Sequence, residues 1–226
     1  MTLTTYEDLQ QGTPEWLAAR CGIPTASVIG QLITPKTVKP ASNDYSRALT
    51  MTLVAERITG HVEPVFPNRD MERGTLSEPF ARDIYAETYA PVAEVGFMVK
   101  DFGKYRVGFS PDGLVGDDGL IEIKSPRQKK HLATILADEV PLEYMAQCQT
   151  GLLVSGREWL DFISYNGGMP LWKKRVYPDQ KWQDAITDAV LTFEASAAEM
   201  IARYDEATAG LPATERIDLF PEMEIF

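Results

Sequence analysis

Asp112, Glu122 and Lys124 are residue types that can do chemistry, and their spacing lets them do it together. Nine residues separate the two acids, and Asp118-Gly119 between them is a strong signal for a tight hairpin turn. Such a turn brings the two carboxylates together. Residues 120–124 read as a short strand with Ile121 and Ile123 on one face and Glu122 and Lys124 on the other, which sets the ammonium beside the second acid. Hard oxygen donors from Asp112 and Glu122, with the main-chain carbonyl of Ile123 beside them, suit Mg²⁺, an ion that keeps several waters and shares itself with substrate phosphates; Mn²⁺ could take its place. An ion there activates a water and offsets charge on a phosphodiester, while Lys124 orients or deprotonates that water. Spacing alone favours a plainer reading, a solvated strand of alternating charge. Pro111 before Asp112 and the apolar Ile123 between Glu122 and Lys124 shift the balance toward chemistry.

Pro111-Asp112 with Glu122-Ile123-Lys124 resembles the PD-(D/E)xK nuclease signature. The run from Ser110 to Leu114, followed by Glu122 to Pro126, is similar to the phage lambda exonuclease branch of that superfamily, the YqaJ-like viral alkaline exonucleases. Other blocks of that family recur in order: Trp16 with Arg20, Thr25 to Ser27, Gly74 with Glu78, and Tyr144 to Gln149. Several ordered motifs, spanning roughly residues 14 to 155, are far more specific than one.

The resemblance implies an α/β fold with a restriction-endonuclease-like core, a central mixed β-sheet flanked by helices. It also implies a Mg²⁺-dependent 5′→3′ exonuclease that processively degrades the 5′-ended strand of double-stranded DNA and leaves 3′ single strands for recombination by annealing. A ring-shaped homotrimer and a single-strand annealing recombinase as partner come with it. By the same likeness Glu78 is a third acid that contacts a metal or its water, and Gln147 hydrogen-bonds the attacking water or a phosphate oxygen. Arg20, Thr25, Ser27 and Ser110 would grip the terminal 5′-phosphate. Two alternatives use the same residues: an endonuclease of restriction or junction-resolving type, and a DNA-binding module with an inert core.

The residues taken by themselves leave several of these roles open. Thr25 and Ser27 are equally good helix caps, Arg20 an ion-pair partner, Gln147 an exposed helix glutamine, and Glu78 a dipole partner near a helix start. Arg127, Lys129 and Lys130 follow Lys124 in a run without acids, a strip able to touch a DNA backbone or simply a solvated loop or helix start. The net charge of −11 counts against an indiscriminate nucleic-acid binder, so positive potential has to be local.

Stepping outward, 226 residues with 44% apolar and 24% charged content suit one soluble domain, expected over 1–226 with an acidic, apolar tail from about 211. No apolar run approaches bilayer length and the amino terminus lacks a signal pattern, so the expected location is cytoplasmic, in a bacterial host if phage-encoded. Cys21 and Cys148 read as buried free thiols in helices. Thr13 and Pro14 start a helix carrying Trp16 and Arg20 on one face, and Pro24 to Ser27 opens another short one. Asn43 caps a helix closed by Gly60, in which Ser46 and Arg47 could face DNA. A further helix over about 70–89 carries Phe80, Ala81, Ile84 and Tyr85 as its apolar stripe. Strands are expected over 92–100 and 105–109, joining 120–124 in one mostly antiparallel sheet, then over 159–165 and 171–177. Pro141 and Asp179 begin the last two helices.

Overall fold

Strand β7 (Gly119–Lys124) is buried on both faces, because two different layers of helix cover it. It lies inside a mixed sheet ordered β6 (Gly113–Val115), β7, β8 (Trp159–Ser164) and β9 (Trp172–Val176). The computed structural model describes residues 1–64 and 67–217. A three-stranded sheet pairs β1 (Thr2–Tyr6), β4 (Phe97–Asp101) and β5 (Arg106–Phe109), and a small ribbon pairs β2 (Ile33–Thr34) with β3 (Lys39–Pro40). The helices are α1 (Pro14–Arg20), α2 (Ala26–Ile29), α3 (Asp44–Thr59), α4 (Arg69–Thr88), α5 (Gln128–Ala137), α6 (Leu142–Ser155) and α7 (Gln180–Thr208).

Side-chain alternation divides the covering. Ile121 and Ile123 of β7 pack with Ile163 of β8 against Ala81 and Tyr85 of α4. The opposite side sends Leu120, Leu160 and Phe162 into the larger core with Cys148 and Leu152 of α6 and Ile186, Val190 and Phe193 of α7. β7 and β8 run parallel, in register from Gly119 opposite Trp159 to Lys124 opposite Ser164. Parallel neighbours need a crossover, and α5 with α6 supplies it.

The mixed sheet and its helical layers are those the sequence leads one to expect, with several corrections. Strands β4 and β5 do not join β7 in one sheet; an isolated bridge pairs Ala93, in the segment before β4, with Leu114 of β6. The chain breaks the ladder at Ser110 and Pro111, and proline has no N–H to continue it. The β6–β7 connection is the three residues Gly116 to Asp118, with Gly116 at φ +53°, and so starts before Asp118-Gly119. Gly119 answers a different need: a Cβ there would run into the Trp159 ring. On α4, Phe80 and Ile84 are exposed, and the buried stripe is Ala81 and Tyr85. Ser46 is buried in a capping box with Asn43, and Arg47 pairs with Asp44, so Ser46 is unavailable to a ligand. Cys148 is buried, while Cys21 only caps the end of α1. Residues 218–226, which include the tail positions Leu219, Phe220, Met223, Ile225 and Phe226, lie outside the described residues. Among the described residues no helix is long and apolar enough to cross a membrane.

Candidate active site

The β6 strand stops at Gly113 while β7 continues to Lys124, which would leave the Ile123 amide without a ladder partner. Asp112 fills that place: its Oδ2 accepts from Ile123 N–H at 2.6 Å. This contact fixes Asp112 beside β7. Glu122, 1% exposed, points toward α6, where its Oε1 accepts from Lys124 Nζ at 2.7 Å and from Gln147 Nε2 at 2.7 Å. Lys124 Nζ lies 5.7 Å from the centre of the Tyr144 ring. Lys124, one strand step beyond Ile123, and Gln147, on the inner face of α6, thus meet on a single carboxylate oxygen.

From the other side α4 delivers Glu78 and Arg82, one helical turn apart. Arg82 binds Glu78, donates from Nε to the Asp112 carbonyl at 2.8 Å, and pairs with Glu94 at 2.8 Å. Glu78 is the tenth residue of a helix that begins at Arg69, so the first-turn dipole reading fails. Arg82 was not anticipated; its position four residues after Glu78 was the available signal.

These carboxylates outnumber the ammonium they share. Burial, then the charge of Asp112, pushes Glu122 up to about 8, and the same two causes push Glu78 up to about 7. Burial also raises Asp112, against the pull of Lys124, the Ile123 amide and Arg82. At Lys124 burial opposes the charged form, but Glu122 and Asp112 outweigh it and the pKa rises. The close Lys124 contact would by itself favour ionised Glu122. One ammonium cannot satisfy several acids, so the upward direction for the carboxylates prevails.

A cation fits this imbalance. Glu122 Oε2 is buried without a hydrogen-bond partner among the described residues, an orphaned acceptor where a charge belongs. Asp112, Glu122 and the main-chain carbonyl of Ile123 are the groups able to hold a divalent ion. Among the described residues no three His, Cys, Asp or Glu side chains form a cage by themselves. The remaining positions would fall to water and substrate, as Mg²⁺ prefers.

The same cleft, about 770 Å³, is lined by every candidate residue: Arg20, Thr25, Ser27, Glu78, Ser110, Asp112, Glu122, Ile123, Lys124, Arg127, Lys129, Lys130 and Gln147. At its far side Arg20 Nη2 donates to Thr25 Oγ1 at 3.2 Å, and Thr25 Oγ1 lies 3.1 Å from Ser27 Oγ. The Arg20 guanidinium stacks 4.3 Å over Trp16, whose Nε1 donates to Ser110 Oγ at 3.0 Å. Thr25 makes no capping bond with its side chain, and α2 is only four residues long, so the hydroxyls and Arg20 carry this pocket. The basic strip is less free than the sequence suggests, since Arg127 pairs with Asp70 at 2.9 Å and Lys130 with Glu143 at 3.5 Å. Arg73, also unanticipated, reaches the Ser125 carbonyl at 3.1 Å.

The mixed sheet that carries buried Glu122 and half-buried Asp112 at its rim belongs to a fold shared with solved alkaline exonuclease structures. A crystal structure of an alkaline exonuclease (LHK-Exo) from Laribacter hongkongensis is 36% identical with a TM-score of 0.78, covering 88% of this chain and 100% of that one. The same exonuclease in complex with dAMP matches with a TM-score of 0.77 at 36% identity and the same coverage, 88% and 100%. A phage related exonuclease from Haemophilus somnus 129PT shares the fold at 13% identity, with a TM-score of 0.60 and coverage of 80% and 96%. Residues 15–158 match the YqaJ-like viral recombinase domain, and the chain belongs to that family. Among curated proteins nothing matches.

Proposed function

We propose that this protein is a Mg²⁺-dependent deoxyribonuclease that degrades the 5′-ended strand of linear double-stranded DNA processively in the 5′→3′ direction. The observation that carries it is the sharing of one cleft by two sites: the Asp112, Glu122, Lys124 and Gln147 cluster and the Arg20, Thr25 and Ser27 pocket. A phosphate held in the pocket sets the scissile bond at a fixed distance from a chain end, which suits an exonuclease better than an endonuclease. The relative's complex with dAMP, a mononucleotide, agrees with a cleft of this kind.

When bound, the ion supplies Lewis-acid activation of water and charge neutralisation at the phosphorus. Asp112 and Glu122 hold its place as carboxylates, with Glu78 assisting. Lys124 and Gln147 converge on Glu122 and so stand beside the nucleophile's position, where the Lys124 ammonium would orient the water and offset charge building up on the phosphate. The water oxygen bonds to phosphorus as the P–O3′ bond breaks, and the departing 3′ oxygen is protonated. A 5′-mononucleotide leaves, and the shortened strand again begins with a 5′-phosphate. Each cut thereby regenerates the end that Arg20, Thr25, Ser27 and Ser110 recognise, while Arg127, Lys129 and Lys130 lie along the approach of the duplex. Processive action would follow from enclosure of the DNA by a homotrimer ring, and the 3′ strand would pass to a single-strand annealing recombinase.

Duplexes labelled at either end, with covalently closed circles alongside, test the reading. Release of labelled mononucleotide from the 5′ end alone, dependent on Mg²⁺ and abolished by chelation, is expected. Nicking of closed circles would replace the exonuclease by an endonuclease, and binding without cleavage would point to an inert module.

A further inference from the structure

The turn that closes the phosphate pocket is fastened from outside the cleft. Arg20 ends α1 and Thr25 lies just beyond the turn, so the path between them decides whether guanidinium meets hydroxyl. Gly22 sits in that path at φ +65°, a conformation that suits glycine. Its N–H donates to the Glu56 carboxylate at 2.7 Å, and its carbonyl accepts from Arg57 Nε at 2.8 Å. Arg57 commits its other two nitrogens to Glu194 of α7 in a bidentate pair at 2.7 and 2.8 Å, with its guanidinium 4.8 Å from the Phe193 ring centre. Cys21 Sγ adds a donor to the Glu56 carbonyl at 3.3 Å. On the opposite side, the Pro24 carbonyl accepts from Gly108 N–H at 3.0 Å. The turn is therefore held between α3 and the β5 strand.

Neither Glu56 nor Arg57 lines the cleft. We propose that they are specificity-determining positioning residues: by locking both peptide groups of Gly22 they hold Arg20 against Thr25, and so set the preference for a 5′-phosphate over a 5′-hydroxyl end. The inference rests on the reading of that pocket as a terminal phosphate site. Arginine recognises phosphate through a planar fork, and a fork already oriented loses less freedom on binding than one that must be ordered. Arg20 is also substantially buried, which disfavours its charge, and the Glu56 carboxylate opposes that effect.

Single-turnover rates on duplexes that differ only in a 5′-phosphate or 5′-hydroxyl give a ratio from which the folded fraction cancels. Arg57→Ala and Glu56→Ala are expected to lower this ratio by about fivefold to tenfold, as misplacement of a remote substrate contact can, with the hydroxyl-end rate within about twofold of the parent. Gly22→Ala attacks the same turn from the other side, since its Cβ would meet Arg57 Cγ, and should lower the ratio as well. Glu194→Gln, which loosens Arg57 without removing it, carries the test if the other variants do not fold. An unchanged ratio in these variants, or equal losses at both ends, overturns the proposal while a lowered ratio in Arg20→Ala leaves the pocket standing. If Arg20→Ala also leaves the ratio unchanged, the phosphate pocket itself is wrong.

Discussion

A single oxygen, Glu122 Oε1, receives both Lys124 and Gln147, and the other, Oε2, receives nothing from the described residues. Such a carboxylate favours its proton until a cation arrives. Glu122 and Glu78 have folded pKa values raised to about 8 and about 7, so the native state binds protons more tightly than the unfolded chain. Without metal, stability should therefore fall as pH rises from the ordinary carboxylate range through about 8. Mg²⁺ competes with those protons, so the stabilisation it gives should be small at pH 6 and grow toward pH 9, reaching about 2.7 kcal/mol at a hundredfold excess over its Kd. Thermal melts with and without Mg²⁺ at both pH values measure this, and equal shifts would argue against binding at these carboxylates. Lys124→Ala should lower the cleavage rate by about 10² to 10⁴ while a DNA-binding assay shows affinity within a few fold of the parent. Unchanged cleavage would remove Lys124 from the mechanism.

Helix α4 carries Glu78, Arg82 and Tyr85 on one face, and its seat on the sheet decides where Glu78 lies. Tyr85 Oη donates at 2.8 Å to Asp161, a fully buried carboxylate on β8 that also takes Arg175 at 2.8 Å and Lys173 at 3.1 Å. Burial would raise the Asp161 pKa, yet the hydrogen bonds from Arg175, Tyr85 and Lys173 hold it below the ordinary value. Tyr85→Phe should cost about 1.5–3 kcal/mol in urea unfolding, the range for a hydrogen bond to a charged group, and should slow cleavage through Glu78 and Arg82. None of this network was legible in the sequence. Asp161 lies within an apolar strand pattern, and its partners come from 76 residues upstream and from 12 and 14 residues downstream. What could be read was whatever is local or carried by a motif: the alternation of residues 120–124, the caps Thr13, Asn43 and Asp179, and the glycine stop at Gly60. Exposed Phe80 and Ile84 went astray because helical periodicity identifies an apolar stripe without saying which neighbour exists to cover it. The partition of strands into two sheets failed similarly, since pairing is a long-range property.

At the scale of the molecule, an acidic chain of net charge −11 places Arg20, Arg73, Lys124, Lys129 and Lys130 around one cleft. Affinity for DNA should consequently be local and salt-sensitive in spite of the overall charge. The cleft also depends on an order of assembly. Every residue placed at the scissile bond or at the 5′-phosphate falls within residues 15–158, yet β8, the parallel neighbour that covers Glu122's strand, begins at Trp159. A chain ending at 158 would carry the whole chemical vocabulary and leave β7 an uncovered edge. Such a truncation is expected to show no detectable nuclease activity. If that holds, a nascent chain would gain the power to cut DNA only after residues through Ser164 have left the ribosome, a delay set by the parallel pairing of β7 with β8.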